Sequence, residues 1–154
     1  MAKINIAERD LKKLICESIM CVLREEEEMS ENGSSKKIVD LISFLHNAQL
    51  PVREIHWNTR NNALHLLTDE SLDELLDWED RLAETYLGGN GGELKINDTK
   101  PSSGEFKGIM KELSDLATEA KESFGDSKKY DNINAVLDEI LETAKKNTYR
   151  ADFK

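Results

Sequence analysis

A chain of 154 residues, 38% apolar and 34% charged, is long enough for one domain with a real core and too apolar to be a disordered type. Its formal net charge of −10 argues against nucleic acid as a partner of the bulk surface, because phosphate contacts need a basic footprint. No long apolar run and no apolar N-terminal signal region is present, so no membrane partner is expected and a cytoplasmic protein is.

Five helical segments are predicted in chain order, and no strand. The first covers 8–28, with Leu11, Leu14, Ile15, Ile19, Val22 and Leu23 at helical spacing. It carries Cys16 and Cys21, which point to different helix faces. They read as small core residues in a reducing compartment, not as a disulfide or metal clip. The Glu25-Glu26-Glu27-Glu28 run has the wrong sign for a helix C-terminus, and Asn32-Gly33-Ser34-Ser35 reads as a break and cap.

The second helix is predicted over 36–58, where Ile38, Leu41, Ile42, Leu45, Ala48, Val52 and Ile55 form a three-four stripe and Pro51 predicts a kink. The third covers 62–88, opened by Asn61 or Asn62 and closed by Gly88-Gly89. Residues 89–104 read as a linker. The fourth helix covers 103–124, with Ser102-x-x-Glu105 as a capping box and Gly125 as the stop. The fifth covers 131–147, with Ile133, Val136, Leu137, Ile140, Leu141 and Ala144 inward.

Loop lengths choose the topology. Short connections make helices two and three antiparallel neighbours, and likewise four and five. The middle linker of about 16 residues reaches roughly 50 Å, more than the roughly 36 Å of a 24-residue helix. It can therefore run the length of the bundle, although the spacing also allows a simple hairpin. The expected fold is all-α: a ferritin-like four-helix bundle with one long crossover and an extra N-terminal helix. The expected organisation is an N-terminal helical extension over 1–33, the bundle over 34–150 and a tail over 151–154.

The candidate site lies on the third helix and the end of the second. Relative to His65, the residues Asp69, Asp73, Asp80 and Glu84 fall within an arc of roughly 100°, beside an apolar arc that includes Leu72, Leu75 and Leu76. Imidazole nitrogen and carboxylate oxygen together suit iron, with zinc or manganese as substitutes. Di-iron bundles use Glu-x-x-His on each of two helices. Here the residues three before His46, His56 and His65 are Ser43, Arg53 and Asn62, which argues against a di-iron centre inside one bundle. Solvated acids would be the plainer reading of Asp80 and Glu84 in a chain with 31 acidic residues. His65 and Asp69 could equally be a helix-surface pair.

The residues His56-Trp57-Asn58, His65-Leu-Leu-Thr-Asp69, Asp80-Arg-Leu-Ala-Glu84 and Gly88-Gly89 resemble the signature of the Dps family, the mini-ferritins or DNA-binding proteins from starved cells. The family spaces its His-x3-Asp and Asp-x3-Glu motifs by ten residues, as Asp69 and Asp80 are spaced here. A group of small phage-encoded ferritin-like proteins is also similar, through the His-Trp-x-Thr…His stretch. The resemblance implies a ferroxidase centre shared by two subunits, with His56, His65 and Asp69 from one chain and Asp80 and Glu84 from the other. It implies Fe(II) oxidation, preferentially by hydrogen peroxide, and storage of ferric iron in a homo-oligomer. A dodecamer of 17.5 kDa chains would weigh roughly 210 kDa. The chain departs from the family in several ways. Eight residues separate His56 from His65, about three fewer than usual; the usual glycine of that turn is absent; Pro51 is unusual; the linker is too short for the family's interface helix; and the N-terminal helix over 8–28 is an addition. The altered turn and the added N-terminal helix motivate a second expectation, a ferritin-like structural or interaction protein without the chemistry.

Overall fold

A computed structural model of the chain describes residues 8–90, 93–125 and 128–153. The side chains of 8–14, 22–32, 90 and 129 lie outside that description, and so do the expectations placed on Leu11, Leu14, Val22, Leu23 and the glutamate run. The chain is all-α: α1 (Glu8–Asn58), α2 (Asn62–Asn90), α3 (Phe106–Phe124) and α4 (Asp131–Arg150), with a single 3-10 turn over Lys128–Tyr130. No strand occurs among the described residues.

Two compact units divide the chain, Met1–Gly33 and Ser34–Lys154. The predicted break at Asn32-Gly33-Ser34-Ser35 is not a helix end, since α1 is helical throughout. One glycine costs a helix only about 1 kcal/mol, which is too little to stop it. In the first unit Cys16 and Cys21 are exposed, as are Ile15, Ile19 and Met20, so the expected burial of the cysteines is corrected.

In the second unit the predicted stripes become the core. Ile38, Leu41, Ile42, Leu45, Ala48 and Val52 of α1 are all fully buried. They meet Leu67, Leu75, Trp78 and Leu82 of α2, Ile109, Met110, Leu113 and Ala117 of α3, and Val136, Leu137, Ile140 and Ala144 of α4. Leu76, expected in the apolar arc of α2, is exposed. The α1 helix continues through Pro51.

Hydrogen bonds between helices fix their directions. His46 of α1 meets Glu79 of α2, and His56 meets His65, so these two run antiparallel. Ser34 Oγ donates to the Ser123 carbonyl at 2.7 Å and Lys37 pairs with Glu119, which sets α1 against α3. Trp78 Nε1 donates to Glu139 at 3.1 Å and Arg150 pairs with Glu70 at 2.6 Å, which sets α2 against α4. Lys107–Asp152 and Lys121–Asp138 do the same for α3 and α4. Each neighbouring pair is antiparallel.

The connection from α2 to α3 ascends beside α1. Asn97 Nδ2 donates to Asp40 at 2.7 Å, and Asn97 N–H to Ser43 Oγ at 3.0 Å. Asn47 Nδ2 then donates to the carbonyls of Asn97 and Thr99, and Lys100 and Pro101 share a groove with Leu50 and Pro51. Numbers rise together on both strands of chain, so the segment travels along α1 instead of turning back.

Element ends show which local signals operate. Asn61 Oδ1 accepts from the N–H groups of Ala63 and Leu64 and caps α2. Gly88 and Gly89 do not end α2, which reaches Asn90. Gly125, at φ 59°, ends α3 as expected. The Ser102 capping box does not form: α3 starts at Phe106, and its flanking Glu105 makes no side-chain cap. Glu112, one turn and a half into α3, instead accepts from Ser102 N–H and Oγ and from Ser103 N–H. Burial pushes the Glu112 carboxyl up, but these donors outweigh it and hold it below its ordinary range.

Gly108 is required by this docking. A Cβ there would stand 2.0 Å from Ser103 Oγ and 2.4 Å from Ser103 Cβ. Gly108→Ala should therefore cost about 1–3 kcal/mol, by displacing Ser103 from Glu112. Gly88→Ala, with nothing within 4 Å of the added Cβ, should gain up to about 1 kcal/mol from helix propensity. Urea unfolding of both variants checks the pair, and a stabilised Gly108→Ala would contradict the clash.

Candidate functional site

Only three residues, 59–61, join α1 to α2, so the last turn of one helix lies against the first turn of the other. His56 and His65 meet there. Their rings stack with centroids 3.9 Å apart and planes 23° from parallel. His56 Nδ1 donates to the His65 carbonyl at 3.1 Å, and His65 Nδ1 donates to the His56 carbonyl at 3.0 Å. A carbonyl only accepts, so each Nδ1 carries the proton. In the neutral ring the lone pair is then on Nε2, the form that binds a metal ion.

Thr68 supports the pair. It is fully buried, and its hydroxyl donates to the carbonyls of Leu64 and His65 while its oxygen stands 3.3 Å from His56 Nδ1. Nothing in the sequence patterning singled out Thr68, because a threonine inside an apolar stripe reads as filler. The short turn does not separate the two histidines; it brings them into contact.

The candidate carboxylates lie along α2, with Asp69 one turn beyond His65 and Asp80 and Glu84 further on. Asp69, Asp80 and Glu84 are all exposed on α2. Among the described residues no group of three or more His, Cys, Asp or Glu side chains is placed to hold a metal ion. Within one chain, then, the structure joins His56 to His65, and among the described residues it completes no cluster of three ligands around them. Asp77, beside that face, pairs with Arg81 at 2.9 Å, and Arg81 also reaches Glu139. Trp57 is 67% exposed.

Two further polar clusters were not visible from spacing. Glu79, mostly covered, accepts from Gln49 Nε2 and bonds His46 Nδ1 at 2.8 Å. Between α2 and α4, buried Asn147 donates to Ser71 Oγ at 3.1 Å and to Glu74 at 2.9 Å, while Asn147 Oδ1 has no partner among the described residues. Glu74 is half-buried, and loss of hydration raises its carboxyl above the usual glutamate range. The Asn147 bond opposes that shift, the Glu70 charge adds to it, and Lys146 and Arg150 oppose it. For an acid whose folded pKa is raised, the native state binds the extra proton, so stability falls as pH rises through the window between the unfolded and folded values. Glu74→Gln should remove that fall. Unfolding midpoints from acid to neutral pH would show a flatter profile for the variant, and parallel profiles would contradict the assignment.

Among the described residues no helix is long and apolar enough to cross a membrane. Neither the curated proteins nor the solved structures give a match to this chain. One family model matches residues 56–150, a stretch that holds His56, His65, Asp69, Asp80 and Glu84. The chain belongs to that family, a family of unknown function (DUF5856).

Proposed function

We propose that the protein is a Dps-like mini-ferritin that oxidises ferrous iron at a centre completed by a second copy of the chain. The stacked His56–His65 pair carries this reading, because both Nδ1 atoms are committed to backbone carbonyls, which leaves Nε2 for a metal, and among the described residues the pair belongs to no group of three or more ligand side chains. A half-site of this kind needs oxygen donors from outside. Asp80 and Glu84, exposed on the same hairpin, are the donors a two-fold related copy would bring, and Asp69 would join the histidines.

The finer fold belongs to the same proposal: unit two is a ferritin-like four-helix bundle. Support comes from the all-antiparallel neighbours and from the α2–α3 connection running along α1, the single long crossover of that fold.

Iron is the substrate. Neutral imidazoles hold ferrous iron, and the hard carboxylates favour the ferric product. Two ferrous ions supply the two electrons that cleave the O–O bond of one hydrogen peroxide, and two protons complete two waters. The half-buried His56, the exposed His65 and the exposed acids would keep the reacting ions at the subunit boundary, from which the ferric product passes to storage.

The test is Fe(II) oxidation by peroxide, followed by ferric absorbance, on the full chain. A rate well above buffer is expected, together with a particle larger than a dimer. A rate equal to buffer, with no iron or zinc retained, would favour the second reading, a ferritin-like structural or interaction protein. The exposed Ile15, Ile19, Met20 and Trp57 favour that reading, since they offer apolar surface without chemistry.

A further inference from the structure

The α3–α4 face carries a feature unrelated to the histidines. A groove of about 400 Å³ opens between these helices, a volume typical of small-ligand sites. Lys107 and Lys111 line it from α3, and Lys145 lines it from α4. Ser114 adds a hydroxyl, that of Thr148 donates to the Ala144 carbonyl at 2.8 Å, and Asp115 places an acid on the wall. In a chain of net charge −10, three lysines lining one groove run against the global composition.

The pairing within the groove is incomplete. Lys107 is bonded to Asp152 at 2.7 Å. Lys111 and Lys145 have no carboxylate partner among the described residues, although the chain has acids in excess. Lys107 and Lys111 are also one turn apart on α3, a like-charge spacing that costs the helix a few tenths of a kcal/mol. The antiparallel register that pairs Lys107 with Asp152 and Lys121 with Asp138 sets Lys111 across from Thr148 and Lys145 across from Ser114. Gly108 adds no side chain to the lining.

We propose that this groove binds a small phosphate monoester. Lysines act as point charges and suit a compact oxyanion, whereas a planar carboxylate is matched better by the arginine fork. The lysine stems and the bare Gly108 backbone give apolar walls that accept a small organic body. Asp115 stands where it can accept from a hydroxyl or amine of that body.

Titration calorimetry of the full chain at low salt tests this with adenosine monophosphate, inorganic phosphate and adenosine as probes. Saturable binding of adenosine monophosphate is expected, tighter than that of phosphate, with none for adenosine. Lys111→Glu/Lys145→Glu should weaken it at least about tenfold, since each lost ammonium removes a charge-assisted hydrogen bond. Both lysines are exposed, so folding is preserved, and circular dichroism verifies it. Lys36→Glu/Lys95→Glu makes the same charge change at exposed positions outside the groove and should leave the affinity within about twofold, because distant exposed charges are screened. No saturable binding of either phosphate probe, or equal loss in the two double variants, would overturn the site. Phosphate binding as tightly as adenosine monophosphate would overturn the organic body.

Discussion

Asp80→Ala/Glu84→Ala should lose peroxide-driven iron oxidation while keeping its fold. Loss of a group that merely supports a metal ligand costs 10–100-fold in affinity or activity, so loss of two direct ligands should cost at least about 100-fold. Both side chains are exposed on α2 and make no hydrogen bond or ion pair among the described residues. Their replacement should therefore leave stability within about 0.5 kcal/mol. That combination separates ligation from scaffolding: a solvated acidic face would give unchanged activity, and a structural role would give a lowered urea midpoint. His56→Ala/His65→Ala should fail differently, because it also removes the two bonds that tie the turn between α1 and α2.

The largest stability effect is expected at Trp78→Ala. Trp78 is 2% exposed, packs in the core and donates its indole N–H to Glu139. Truncating a buried tryptophan costs about 3–5 kcal/mol from lost burial and the cavity left behind. Domains of this size are stable by only about 5–15 kcal/mol, so the variant should unfold at a much lower urea concentration. Trp78→Phe isolates the hydrogen bond. Glu139 is exposed and also bonded to Arg81, so it is not stranded, and the cost should be nearer 1–2 kcal/mol. A loss below about 1 kcal/mol for Trp78→Ala would mean that the α2–α4 seam contributes little to folding.

Much of the architecture was legible because it depends on local periodicity. The stripe from Ile38 to Val52 is fully buried, and Asn61 and Gly125 cap the helices they were expected to cap. What was not legible depends on tertiary partners. Ser102 reads as a capping residue by spacing, yet Glu112 offers a better-oriented acceptor to three donors at once. Leu76 belongs to an apolar arc on paper, but α1 and α4 flank α2 on the other side and leave it exposed. Gly33 looked like a helix stop because glycine is weak in helices, but its penalty is small against a long cooperative helix.

The site divided in the same way. The pairing of His56 with His65 follows from their positions on either side of a short turn, although that turn is about three residues shorter than in the family it resembles. Thr68 and the lysine groove were invisible. One hides inside an apolar run, and the other joins α3 to residues more than thirty positions away on α4. Asp80 and Glu84, exposed on α2, are open to solvent or to a second chain.

Mixing two inactive variants distinguishes the two. His56→Ala/His65→Ala and Asp80→Ala/Glu84→Ala should each be inactive alone. If each centre joins the histidines of one chain to the acids of its two-fold partner, a mixed dimer regains one intact centre of its two. Unfolding and reassembling equal amounts together should then restore about a quarter of the wild-type rate, because half the dimers are mixed. Recovery near that fraction is the result the shared centre predicts. No recovery from mixed assemblies, verified as mixed by mass, would contradict it.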